Sequence, residues 1–146
     1  MKSELRLGSI IAHNNEQCVV FSLSKEWLRV TKDRNVAISY DNISGVPITE
    51  DRLLRFGFEK IATFNVMNSF IKNIGRNRHI SIGCIGTPNL MVFLCETDRE
   101  DYRKVNDLIC LHNWDYDGEL YVHQLQNIIS DLTRQERVEH PSLLNK

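Results

Sequence analysis

The sequence predicts an α+β domain, and three observations lead to this class. Short apolar runs alternate with turn-forming residues in the first third of the chain, a capped helix signal follows Thr49, and an amphipathic pattern lies near the C-terminus. At 146 residues, the chain can bury a stabilising core without disulfides. We expect one domain with an N-terminal β lobe over about residues 1–47, an α+β lobe over about 48–134 and a frayed tail over 135–146.

The N-terminal lobe should be an antiparallel β-meander or a small barrel. Its short apolar runs cover residues 9–13, 17–23, 27–31 and 36–40. The segments between them, residues 14–16, 24–25 and 33–35, are rich in turn-forming side chains. Strands this short and closely spaced favour a small curled sheet, and Gly45 and Pro47 then interrupt the pattern.

A short helix is predicted directly after this lobe. Thr49 can cap its first turn, Glu50 and Asp51 suit the positive end of the helix dipole, and Gly57 fits a left-handed stop. Residues 61–74 fit both a helical and a strand pattern, and we favour a strand.

The second half should contain a β-hairpin and further helix. Residues 80–84 and 90–95 read as its strands, with a turn at 86–89. The capping box of Thr97 and Glu100 predicts a helix that begins at Asp98 and continues towards Leu108. The strongest element is a final amphipathic helix, which we expect to pack on the sheet. Its apolar face comprises Tyr121, Leu125, Ile128, Ile129 and Leu132.

Composition limits the classes of function. Lys and Arg number 18 against 19 for Asp and Glu, so no global field would attract long nucleic acid or an anionic membrane. No apolar run approaches the roughly 20 residues of a membrane span. The isolated cysteines lie among apolar neighbours and predict buried thiols in a reducing cytosol; they are Cys18, Cys84, Cys95 and Cys110.

The segment over residues 112–126 is the densest in functional side chains. Asn113, Asp115 and Asp117 fall on the first three ligand positions of an EF-hand loop, but Gln124 stands where that loop needs a bidentate glutamate. We therefore expect no metal or other cofactor. The simpler interpretation is a tight turn that leaves a strand over residues 108–112 and starts the last helix.

An acid/base group is the catalytic alternative for this segment. His112, Asp115, Asp117 and His123 could cleave a phosphodiester or modify a nucleic acid, although nothing in the sequence fixes their geometry. The chain has no serine in a nucleophile elbow and no cysteine in an electropositive stretch. The sequence therefore leaves enzymatic activity undecided, and we favour a protein without it.

A second cluster lies at the predicted turn of residues 75–79. The guanidinium groups of Arg76 and Arg78 could bind a phosphate bidentately, whereas the plainer reading is a solvated hairpin tip. Trp114 and Tyr116 could add stacking surfaces. The full set of predicted ligand-binding residues is Arg76, Arg78, His79, His112, Trp114, Tyr116, Asp117 and His123.

Three segments carry a resemblance to a known family. VPITEDRLLRFGFEK at residues 46–60, YVHQLQNIISDLT at 121–133 and the N-terminal LRLGSII are similar to a family of small uncharacterised proteins of bacterial prophages, phages and mobile elements. Its members carry I-P-L-T-E-E-x-L-x-x-F-G-F and Y-x-H-Q-L-Q-N-L-x-x-x-L-T segments. The chain departs from the family after Thr133, where Arg134 and Gln135 replace a glycine and acidic residues.

The resemblance implies a mobile-element protein in the cytoplasm of a bacterial host and brings no catalytic residues. The function we favour is a non-enzymatic accessory protein that binds a host protein or a small nucleotide signal, in the service of counter-defence. A phosphodiester-cleaving or nucleic-acid-modifying enzyme is the first alternative. The second is a structural module, a homo-oligomer formed through an exposed sheet edge.

Overall fold

The α+β class is confirmed by the computed structural model, which describes residues 4–62, 68–97, 105–113 and 119–137. In chain order the elements are β1 (Ile10–His13), β2 (Glu16–Leu23), β3 (Trp27–Val30), β4 (Asp33–Ser39), a 3-10 helix (Tyr40–Asn42), β5 (Ile43–Gly45), α1 (Glu50–Arg55), β6 (Glu59–Ala62), β7 (Asn68–Gly75), β8 (Arg78–Gly83), β9 (Met91–Thr97), β10 (Val105–Asn113) and α2 (Val122–Arg137).

The chain divides into two compact units. The first comprises Met1–Pro47 and Tyr121–Arg134, and the second comprises Ile48–Leu120 and Gln135–Lys146. The sequence predicts the last helix in the second lobe, whereas most of α2 groups with the first unit. Backbone hydrogen bonding joins the start of α2 to the first unit, because the Val122 amide donates to the Val46 carbonyl at 2.8 Å.

The first unit contains an antiparallel sheet of order β4-β3-β2-β1-β5. Four of these strands match the apolar runs in the sequence. The fifth, β5, falls where Gly45 suggested a break; it forms because β1 offers a pairing edge, with Ile11 opposite Gly45. Alternate side chains of β1 to β4 point inward, and together with Leu5, which precedes the first strand, they form a core of Ile11, Cys18, Val20, Leu28, Val30 and Ile38.

The second unit contains another antiparallel sheet, of order β10-β9-β8-β7-β6, together with α1. The predicted helix after Thr49 is confirmed: the Thr49 hydroxyl accepts from the Arg52 amide at 3.3 Å, and Gly57 adopts a φ of 86° at the stop. The strand interpretation of residues 61–74 holds where the structure describes them, since β6 ends at Ala62 and β7 begins at Asn68. The predicted hairpin is formed by β8 and β9.

The helix expected from Asp98 towards Leu108 is wrong over residues 105–108, which belong to strand β10; residues 98–104 lie outside the described residues. A capping box is a local preference, and here it is outweighed by the long antiparallel ladder that β10 forms along β9, with Leu108 opposite Cys95. The strand interpretation of residues 108–112 is thereby confirmed.

Two further expectations concern the burial of the cysteines and the presence of membrane spans. Cys18, Cys84 and Cys95 are buried as expected, but Cys110 is exposed on β10, so the expectation of four buried thiols is wrong for that residue. None of the helices in the described ranges combines the length and apolar character needed to cross a membrane.

Candidate functional site

The polar residues that open α2 bind the N-terminal segment. The Gln126 side chain accepts from the Ile10 amide at 2.8 Å and donates to the Gly8 carbonyl at 3.0 Å. The Asn127 amide donates to the Glu4 carbonyl at 2.6 Å. Residues 4–10 and the first turns of α2 therefore meet in the structure, and the polar side chains of α2 satisfy backbone groups that would otherwise cost free energy.

Gln124 completes the same architecture. Its side-chain oxygen accepts from the Tyr121 amide at 2.8 Å, as the third residue of a helix does in a capping box. This position is where the EF-hand template requires a calcium-binding glutamate. In the described ranges, no group of three or more His, Cys, Asp or Glu side chains is arranged to hold a metal ion. Asp115 and Asp117 of the template lie outside the described residues.

His123 is fully buried in the first unit. Its Nε2 lies 3.3 Å from the Glu4 carboxylate, and its ring stacks on Tyr121 with centroids 5.9 Å apart. Burial lowers the pKa of His123 below its ordinary value, although Glu4 acts in the opposite direction. The ring is therefore neutral near pH 7 and has no contact with solvent. An acid/base role on an external ligand would require it to be uncovered first.

The predicted cationic turn forms the tip of the β7–β8 hairpin. Arg76 and Asn77 occupy its two central positions with φ values of 53° and 60°, the geometry of a type I′ turn. Arg76 is exposed, and Arg78 lies opposite Glu96 of β9 in the sheet register. His79 is buried, and burial lowers its pKa, so it adds no positive charge near pH 7. Phosphate binding at this tip would thus depend on the two arginines.

The remaining predicted residues are only partly described. His112 is buried on β10 opposite Val92, while His79 lies opposite Cys95, so their partners on β9 are three positions apart. Trp114, Tyr116 and Asp117 lie outside the described residues. The phosphate-and-base pocket expected from the sequence therefore stays a prediction.

A small cavity of about 350 Å³ opens in the second unit. Its walls are mainly apolar, with Ile48, Pro88 and Leu90 among them, and Glu119 and Thr87 contribute polar atoms. The Thr87 hydroxyl is already engaged, donating to the Cys84 carbonyl at 2.7 Å and accepting from the Asn89 amide at 3.2 Å. A polar ligand would find few unused hydrogen-bonding groups among these residues.

A different cluster, which the sequence does not predict, lies on the outer side of the first unit's sheet. The Arg34 guanidinium lies 4.5 Å from the centre of the Phe21 ring, and the Arg29 guanidinium lies 4.7 Å from the centre of a Trp27 ring. Phe21 is 41% exposed, which is high for a phenylalanine. We call Phe21, Trp27, Arg29 and Arg34 the aromatic–arginine face.

A β-bulge between β2 and β3 lies within this face. The β2–β3 register passes from Val20 opposite Val30 to Ser22 opposite Arg29, which leaves Phe21 as the additional residue on β2. Val20 and Val30 point into the core, so Phe21, the next residue of β2, lies on the outer side, and the bulge leaves it beside Arg29. Trp27 follows on the outer side of β3, since alternate residues of a strand share a face.

The two arginines of this face form no ion pair with the described residues. In the described part of the chain, neither Arg29 nor Arg34 lies within salt-bridge distance of a carboxylate, whereas the nearby Lys32 is paired with Glu16. The Nε of Arg29 is shielded from water and has no hydrogen-bond partner there. Guanidinium groups that lie on aromatic rings and meet no carboxylate among the described residues form a surface suited to a planar anionic ligand.

One sequence signal could have indicated this face. Cys18 and Val20 are buried while Val19 and Phe21 are exposed, so the alternation in β2 already places an aromatic ring on the outer side. The sequence gives no such signal for Arg34, because residues 33–35 have a turn-forming pattern but belong to β4.

Comparison with protein-family models, with characterised proteins and with solved structures found no match to this chain.

Proposed function

We propose that this chain is a non-enzymatic accessory protein of a phage or mobile element that binds a small nucleotide on the aromatic–arginine face. The resemblance of its N-terminal, 46–60 and 121–133 segments to phage proteins supports the biological setting. The observation that supports a nucleotide ligand is the pair of guanidinium groups on Phe21 and Trp27, which have no carboxylate partners in the described ranges. Sequestering a nucleotide signal would then blunt a host defence that depends on it.

The chemistry of the face matches both halves of a nucleotide. A base can stack on an aromatic ring or on a guanidinium plane, and a phosphate can accept charge-assisted hydrogen bonds from the same arginines. Each stacked base contributes about 1–3 kcal/mol in single-stranded nucleic-acid binding proteins. Because neither arginine is paired with a carboxylate of the described residues, no such ion pair has to be broken when the phosphate arrives.

Calorimetry tests this proposal. The purified protein is titrated with nucleoside mono-, di- and triphosphates and with cyclic nucleotides, and we expect saturable heat with at least one of them. Phe21→Ala should weaken that binding by about 5- to 100-fold, which corresponds to the loss of one stacked base. Arg34→Ala should weaken it as well and should reduce its dependence on salt.

Two control variants separate the candidate sites. Arg55→Ala removes one exposed arginine from α1, where the guanidinium is already paired with Asp51 at 2.9 Å, and should leave binding unchanged. The double variant Arg76→Ala/Arg78→Ala removes the hairpin tip expected from the sequence. If this double variant loses nucleotide binding while Phe21→Ala still binds normally, the ligand site lies at the β7–β8 turn instead. No heat with any nucleotide would exclude the small-ligand proposal.

A second function, oligomerisation, is favoured by β10. This strand is an outer strand of the second unit's sheet in the part of the chain that the structure describes. Leu108 and Ile109 are each 51% exposed, and Cys110 is exposed as well, so apolar side chains protrude on both sides of an edge. An edge of this kind can pair with the same strand of a second copy.

Light scattering tests the second proposal. A dimer joined through β10 should dissociate when Ile109→Lys places a charge on the edge, while Leu54→Lys, at a similarly exposed leucine of α1, should leave the mass unchanged. A monomeric wild-type mass at high concentration would contradict oligomerisation.

A further inference from the structure

The aromatic–arginine face contains two stacking positions, one on each of two neighbouring strands. Phe21 projects from β2 and Trp27 from β3, and each ring carries its own guanidinium group. The register places Arg29 beside the Phe21 bulge, and Trp27 lies two residues from Arg29 on the same side of β3. The face is thus a repeated ring–arginine unit rather than one isolated pair.

The spacing of the two positions follows from sheet geometry. Two residues along a strand span about 7 Å, and neighbouring strands lie about 5 Å apart. The two rings are therefore anchored farther apart than the about 3.4 Å that separates stacked bases in a duplex strand. Bases held on both would be splayed, as they are on proteins that read single strands. A single base can cover only one of the positions.

The charges fit a linkage between the two bases. Arg29 lies between Trp27 and the Phe21 bulge in the register, and its guanidinium lies 4.7 Å from the centre of a Trp27 ring. Arg34 reaches the Phe21 ring from β4, on the other side of β3. A phosphate that joins two bases would lie between these guanidinium groups and could accept from both.

From this arrangement we propose that the ligand has two bases joined by a phosphodiester linkage, with one base on the Phe21–Arg34 pair and the other on the Trp27–Arg29 pair. This inference rests on the proposed function and adds the size of the ligand to it. The linkage itself can come from a linear dinucleotide or from a cyclic one, because both supply two bases and a bridging phosphate.

Calorimetry with matched ligands tests the proposal. Adenosine monophosphate, linear diadenosine monophosphate and cyclic diadenosine monophosphate are each titrated into the full chain. We expect the linear or the cyclic dinucleotide to bind at least about tenfold more tightly than the mononucleotide, because a second stack is added. The dinucleotide that shows this gain identifies the source of the linkage.

Single-ring variants complete the test. Phe21→Ala and Trp27→Leu should each lower dinucleotide affinity to about the level of the mononucleotide, with circular dichroism confirming that the sheet is retained. Arg29→Gln provides a second variant of the Trp27 position that leaves the ring in place, and it should also weaken dinucleotide binding. Equal affinities for one base and two bases, with the face still required, would overturn this inference and leave the proposed function standing. Absence of binding by all three ligands would overturn the inference for adenine dinucleotides, and no heat with any nucleotide of the wider panel would overturn both proposals.

Discussion

The ring of Tyr121 lies directly on Gly45, so closely that a Cβ atom at Gly45 would come within 2.5 Å of two ring carbons. The contact joins the strand β5 to the residue that precedes α2, and an isolated bridge between Pro47 and Tyr121 lies beside it. The glycine is needed here because of the room it leaves and not because of its backbone angles, since no positive φ is found at Gly45.

Replacing Gly45 should therefore destabilise the first unit. Gly45→Ala forces the ring or the strand to move, and we expect it to lower the free energy of unfolding by about 1–3 kcal/mol in urea denaturation. Gly83→Ala is the matched control, because it adds the same methyl group where no atom lies within 4 Å. The control should stay within about 1 kcal/mol of wild type. Similar losses in both variants would contradict the close contact.

The hydrogen bonds of Gln126 should matter more than an exposed ion pair on the same helix. Gln126→Ala leaves the Ile10 amide and the Gly8 carbonyl without their side-chain partner, which should cost about 1–3 kcal/mol. Asp131→Ala removes the ion pair with Arg6, in which both side chains are about half exposed, and should cost about 0–1 kcal/mol. Urea denaturation of both variants measures the difference, and the reverse order would contradict the docking of α2 on the N-terminal segment.

Stability should fall as the pH drops, because His79 and His123 are buried in the neutral form. Burial holds the pKa of each below the ordinary value of 6.5, so the unfolded chain binds protons more readily than the folded one. Their contribution is complete above about pH 6.5 and is progressively lost as the pH falls through and below that value.

Denaturation at a series of pH values checks this dependence. The double variant His79→Gln/His123→Gln should have a flatter profile than wild type below about pH 6.5, whatever its stability at neutral pH. Glu4 acts against the shift at His123, so Glu4→Gln should steepen the profile. Unchanged profiles in these variants would show that the two histidines are not buried as neutral rings.

Thiol labelling should single out Cys110. It is exposed on β10, whereas Cys18, Cys84 and Cys95 are buried and burial raises the pKa of Cys95 to about 11. We expect a maleimide to modify one thiol rapidly in the native protein and four in urea, as counted by mass spectrometry. Cys110→Ser should abolish the rapid reaction. If β10 pairs with a second copy, labelling of Cys110 should slow as the protein concentration rises.

The parts of the fold that depend on short-range chemistry could be predicted from the sequence. Thr49 and Gly57 bound α1 through contacts within a few residues, and the Arg76–Asn77 turn needs only two left-handed positions. The strand β10 could not be found this way. Its capping box favours a helix locally, and the pairing with β9 that outweighs this preference depends on residues distant along the chain.

The aromatic–arginine face escaped prediction for a similar reason. Phe21, Trp27 and Arg34 come from three strands, and no local pattern indicates that the Arg34 guanidinium lies on the Phe21 ring. The polar residues of the last helix show the same dependence, because Ile10 and Glu4, the partners of Gln126 and Asn127, are more than 100 residues away in sequence. Sequence alone could not decide between a binding role and an architectural one for them.

Nuclear magnetic resonance mapping of a dinucleotide titration would locate the ligand with no prior choice of variant. Binding on the aromatic–arginine face should shift the Trp27 indole N–H, the Arg29 Nε–H and the backbone amides of β2 to β4, while the β7–β8 hairpin tip stays unchanged. Shifts confined to residues 75–79, or a saturating titration that leaves Trp27 and Arg29 unmoved, would contradict the assignment of this face as the ligand site.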